Sequence, residues 1–146
     1  MRRAASRTAD CTPDEARSRL RRAEEFLTVA DLVLGERVET PEEDDVINLS
    51  GVSAALAVLA GIAASDAATC YRLGRRSRGQ DHTAAVATVK TVVPHGEQLA
   101  KDLARLLNLK DGAHYGVLGV SGAEAVKAVQ WARRMIANAQ EIIESA

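Results

Sequence analysis

Three helix-start signatures, each followed by an apolar stripe at helical spacing, constrain this chain more than any other feature. Thr12-Pro13-Asp14-Glu15, Thr40-Pro41-Glu42-Glu43 and Ser121-Gly122-Ala123-Glu124 each put a hydroxyl at an N-cap and a glutamate three positions on. The hydroxyl accepts from a backbone N–H of the first turn, and the glutamate reaches back to the cap. Proline is tolerated at the first helical position because its missing N–H would have no partner there. Behind the first signature, Ala16, Leu20, Ala23, Leu27, Ala30 and Leu34 step by four and three, tracing one helix face. Behind the second come Leu49, Val52, Leu56, Leu59, Ala63, Asp66, Cys70 and Leu73. Nearly every face of that segment's middle is apolar, which predicts the central helix of a bundle. Behind the third, the stripe is Ala125, Val129, Ala132, Ile136, Ala139 and Ile143.

Two shorter elements complete the pattern. Asp81 caps a helix expected from His82 to about residue 93, and Pro94-His95-Gly96 breaks it. A further helix from about residue 97 turns Leu99, Leu103 and Leu106 inward. No strand-like alternation runs beyond four residues. The expectation is therefore all-α: an antiparallel four- to five-helix up-and-down bundle. Residues 1–11 read as a flexible leader and 12–146 as a single domain. Aromatics make up only 3% of the 146 residues, so the core must be built from Ala, Val, Leu and Ile.

Charge is balanced, with 19 basic and 20 acidic residues, and demands neither nucleic acid nor an anionic membrane as partner. It also argues against tight, nonspecific RNA binding. The Arg/Ala/Ser-rich start lacks the apolar face of a targeting peptide, and the apolar run 52–64 is short for a membrane span. A cytoplasmic protein with no membrane partner is expected. Of the two cysteines, Cys11 falls in the leader and Cys70 in an apolar helix, so no structural disulfide is expected. No metal-ligand spacing or phosphate-binding glycine loop occurs, and no cofactor or metal is called for.

The densest chemistry lies at Lys110-Asp111-Gly112-Ala113-His114-Tyr115. Extending the Leu99–Leu103–Leu106 stripe by the same steps reaches Lys110 and then His114, provided the helix persists past Gly112. Asp66 falls on the expected inward seam of the central helix. A buried carboxylate needs a partner, and Lys110 or Tyr115 is the candidate. Together these groups would bind phosphate or a nucleobase, or move protons near neutral pH. The structural alternative has Lys110 and His114 completing a helix C-terminus, where cations complement the dipole. A second cluster, Arg75, Arg76, Arg78 and His82, reads either as a phosphate grip or as a solvated connector closing a helix end.

From residue 57 onward the chain resembles the HEPN superfamily of small all-α domains. The blocks that carry the likeness run in order: ALAVLAGIAASDAATCYRLG, RRSRGQDHTAAV, LARLLNLKDGAHYG and VLGVSGAEAVKAVQWARRMI. The third is the most specific. The resemblance implies a homodimeric bundle and a toxin–antitoxin or defence setting, with a small nucleotidyltransferase as a possible antitoxin-type partner. Catalytic members cleave RNA without metal, using an arginine followed four to six residues later by a histidine. Here Lys110 stands where that arginine is expected, only three residues separate it from His114, and Arg105 lies further away. Lysine keeps the charge but loses the bidentate fork. Arg75 or Arg76 with His82 has the literal spacing, but in a loop that does not match the family's motif, so the spacing there reads as coincidence.

Three functional expectations follow. The first is a HEPN-like homodimer binding a nucleotide, RNA end or partner protein through Asp66, Lys110, Asp111, His114, Tyr115 and Arg105. The second is a metal-independent endoribonuclease in which His114 is acid/base and Lys110 or Arg105 holds phosphate. The third is a non-catalytic protein-interaction module.

Overall fold

The computed structural model describes residues 8–39, 46–78, 81–114 and 120–144. Five helices dominate: α1 (Pro13–Val33), α2 (Ser50–Leu73), α3 (His82–Lys90), α4 (Gly96–His114) and α5 (Gly122–Glu144). Four three-residue strands form two antiparallel ribbons. β1 (Thr8–Asp10) pairs with β4 (Arg75–Ser77), and β2 (Arg37–Glu39) pairs with β3 (Val46–Asn48). The molecule is an all-α helical bundle, as expected.

Side-chain contacts fix the helix directions. Ser53 Oγ donates to Ala30 O at 2.8 Å, while Arg19 lies 3.8 Å from Asp66, so α1 and α2 are antiparallel. Arg133 Nη2 donates to both carboxylate oxygens of Asp31 at 2.7 Å and Gln140 donates to Glu24 at 2.9 Å, so α5 is antiparallel to α1. His95 Nε2 lies 2.6 Å from Glu141, and Arg134 grips Asp102, so α4 is antiparallel to α5. The long helices therefore run up, down, up, down. Short α3 doubles back beside α4.

Local signals behaved as their chemistry requires. Thr12 Oγ1 accepts from the Glu15 N–H at 3.2 Å, and Asp81 Oδ1 from the Ala84 N–H at 3.0 Å. Ser121 and Glu124 exchange two bonds of 3.1 Å, the reciprocal cap read from sequence. The stripes of α1 and α5 are buried, apart from half-buried Leu34, and so are Leu99, Leu103 and Leu106 of α4. The turn before α4 is tight: a Cβ on Gly96 would lie 2.6 Å from Lys90 O.

Several expectations are corrected. The Thr40–Glu43 signature does not open the second helix. It falls between the paired strands β2 and β3, in residues 40–45 outside the described ones, and α2 begins at Ser50 with no side-chain cap bond. The leader ends sooner than expected, because Thr8–Asp10 is a paired strand. Cys11 and Cys70 form a disulfide with Cα atoms 5.5 Å apart. The β1–β4 pairing carries Cys11 to the end of α2, which spacing along the chain does not reveal.

The largest correction concerns the rotation of α2. It is central, packing against α1, α5 and α4, but it turns its small residues inward. Ala54, Ala57, Ala60, Gly61, Ala64, Ala67 and Ala68 are buried; of the expected seam Ala63 and Cys70 are buried too, whereas Val52 and Leu59 are exposed. Neighbouring helices approach closely over small side chains. A Cβ on Gly61 would overlap Leu106 Cδ1 and sit 3.2 Å from Met135 Sδ. Among the described residues α2 is the one helix long and apolar enough to cross a membrane, and more than half of that stretch is buried in the bundle.

Candidate functional site

The rotation of α2 also relocates Asp66. It continues the outward Val52–Leu59–Ile62 side of the helix and opens on a surface cavity of about 230 Å³. Four elements contribute to the wall. Ile62, Ser65 and Asp66 come from α2, and Arg76 and Ser77 from β4. His82 and Ala85 come from α3 with its cap Asp81, and Leu103 and Leu107 from α4. Each is delivered by a local rule. Gly74 stops α2 in the left-handed region at φ 71°, which a residue with a Cβ rarely adopts, and turns the chain into β4. Pairing with β1 then holds Arg76 opposite Ala9. The Asp81 cap starts α3, so His82 sits at its first turn.

The cavity is chemically divided. Ile62, Ala85, Leu103 and Leu107 give it an apolar wall, and Asp66, Arg76, Asp81 and His82 give it charge and hydrogen-bonding capacity. Only 17% of the Asp66 side chain is exposed. Burial pushes its carboxyl up to about 6, against the opposing pull of Arg19 and Arg76. The nearer cation, Arg19, stands at 3.8 Å, too far for a strong hydrogen bond, and its own buried Nε has no acceptor among the described residues. The carboxylate is thus only partly neutralised and retains capacity for a donor from outside.

The residues expected at the site meet different fates. Asp66 does reach a cavity, with Arg19 and Arg76 beside it; the expected pairing with Lys110 or Tyr115 falls outside the described residues. The backbone of α4 continues through Gly112 to His114, as the site reading required. Lys110 and His114 occur three and seven residues beyond the cavity-lining Leu107 in that helix. The side chains of Lys110, Asp111 and His114, and all of Tyr115, lie outside the described residues. Arg105 is engaged elsewhere. It donates to Asp102 at 3.2 Å and lies 5.9 Å over the Trp131 ring on the α4–α5 seam. Asp102 is completely buried, and Arg134 closes on it with bonds of 2.7 and 2.6 Å. Arg105 therefore reinforces a structural ion pair on the side of α4 away from the cavity.

Arg76 and His82, whose spacing the sequence displayed but whose connector read as solvated, line the cavity. Five intervening residues and one helix cap suffice to fold them back onto Asp66. Arg19 carried no usable signal, because it reaches the site only through the packing of α1 on α2. The sole grouping of possible metal ligands among the described residues is Cys11, Glu15 and Cys70, within 4.8 Å of one another, and the disulfide engages both sulfurs. Comparison of the chain with protein-family models, curated proteins and solved structures finds no match.

Proposed function

We propose that this protein is a HEPN-like homodimer that binds a nucleotide or RNA end in the Asp66–Arg76–His82 cavity, in a toxin–antitoxin or defence setting with a nucleotidyltransferase-type partner. The observation that carries the reading is the division of the cavity: an incompletely neutralised carboxylate, a guanidinium and an imidazole face one space with an apolar wall. The apolar wall suits a flat base. Asp66 accepts from base N–H donors, while Arg76 and His82 address phosphate. Ligand pockets typically measure about 300–1,000 Å³. At about 230 Å³ this cavity lies below that range, which suits part of a nucleotide, a base or a terminal phosphate, with the rest of the ligand outside.

Calorimetry with the four nucleoside monophosphates and short 5′-phosphorylated RNAs tests this. Arg76→Ala is expected to weaken the best ligand on the order of tenfold to a hundredfold, the equivalent of one lost charge-assisted hydrogen bond. Its circular dichroism should be unchanged. Failure of every nucleotide to bind or to raise the melting temperature sinks the reading.

A second reading, a metal-independent endoribonuclease, is favoured by Arg76 and His82 facing the same cavity with five residues between them. It requires RNA cleavage in EDTA that disappears in His82→Ala. Cleavage lost instead in His114→Ala would return the chemistry to the end of α4, and intact RNA at high protein concentration would remove it.

A further inference from the structure

One wall of the cavity is mechanically dependent on a covalent bond. Arg76 is carried by β4, and the partner of β4 is β1, in the register Thr8↔Ser77, Ala9↔Arg76 and Asp10↔Arg75. A two-stranded ribbon of this length is marginal by itself. Two further ties hold it. The Cys11 N–H donates to Gly74 O at 2.9 Å, and the Cys11–Cys70 disulfide joins the residue after β1 to the last turn of α2. Cys70 is 1% exposed, whereas Cys11 is half-buried at the edge of the ribbon, so an attacking thiol gains entry through Cys11. The helical core does not lean on this bond, because α1 and α2 meet over their own small-residue faces.

We propose that the Cys11–Cys70 disulfide is a redox latch: closed, it holds Arg76 in the cavity wall; opened by a thiol reductant, it frees the β1–β4 ribbon and weakens ligand binding. The inference rests on the cavity being a ligand site, and it adds the regulation of that site. The chemistry balances simply. A reductant thiolate attacks the Cys11 sulfur, Cys70 leaves as a thiol, and a second reductant thiol resolves the mixed disulfide. Two electrons and two protons pass to the protein, and the reductant becomes a disulfide.

The full chain, oxidised or reduced with dithiothreitol, is compared by hydrogen exchange and by AMP and inorganic phosphate titration. Reduction is expected to speed amide exchange in 75–77 on the order of tenfold while α1, α2 and α5 hold their rates. AMP affinity should fall several-fold. Cys11→Ser without reductant should reproduce both effects, and Arg76→Ala should make AMP affinity indifferent to reductant. Peptide mapping that finds no Cys11–Cys70 bond in the oxidised chain overturns the proposal. So does equal exchange in the two states, or faster exchange with unaltered AMP affinity. If neither AMP nor phosphate binds the oxidised chain, the ligand-site reading fails separately, and the exchange rates still decide whether the latch exists.

Discussion

Asp66 imposes a pH dependence on the fold whose sign can be worked out. Its carboxyl is raised from 3.8 to about 6, chiefly by burial, with Arg19 and Arg76 only partly offsetting this. Between those values the folded chain holds a proton that the unfolded chain has released. Stability therefore falls as pH rises from about 4 to about 6 and stays low above that. A shift of this size corresponds to about 3 kcal/mol. Asp66→Asn is accordingly expected to raise the melting temperature by several degrees at about pH 7.5 and to change little at about pH 4. An unchanged or lower value at neutral pH would mean that the two arginines already outweigh burial. The same variant is expected to lose ligand binding, so stability and function trade against each other at one carboxylate. At this scale the sequence marked Asp66 as a carboxylate in need of a partner. It did not reveal the arginines, because which cation lies within 4 Å depends on the rotation and pairing of three elements.

The face that α2 turns inward governs the next level. Periodicity alone finds a stripe, but a helix that is apolar nearly all round has several, and the bulkier one drew the expectation. Packing chose the alanine face because close approach of α1, α4 and α5 needs small side chains. Gly61 shows the tolerance: Leu106 is fully buried and occupies the space a Cβ would need. Gly61→Val is expected to destabilise by about 2 kcal/mol despite valine's better helix propensity, because overpacking outweighs it. A lower urea midpoint with an unchanged slope would show this, whereas an unchanged midpoint would mean that α4 can shift without penalty. By contrast, α1 and α5 were legible to within a residue or two. Each has a cap and one apolar face, so only one rotation buries it.

At the scale of the whole molecule, α1 and α2 both leave large apolar side chains outside. Val52 and Leu59 are 49% and 44% exposed on α2, and Val29 and Leu32 are 45% and 68% exposed on α1. Under the homodimer proposal the exposed apolar side of α2 is where a second copy would pack. Leu59→Glu is then expected to convert a dimer to a folded monomer by light scattering with unchanged helicity. A chain that is monomeric before substitution would remove the proposal. Helix number, bundle class and the starts of α1, α3 and α5 were written locally, in caps, breakers and stripes, because each depends on residues within a few turns of one another; the start of α2 at Ser50 was not, because pairing of β2 with β3 takes up the chain around the second start signature. The site was not. Asp66, Arg76, His82 and Arg19 meet only when α2 takes one rotation, β1 pairs with β4 and α1 lies along α2. Those choices are made by packing volume and backbone pairing between distant segments, and no spacing along the chain encodes them.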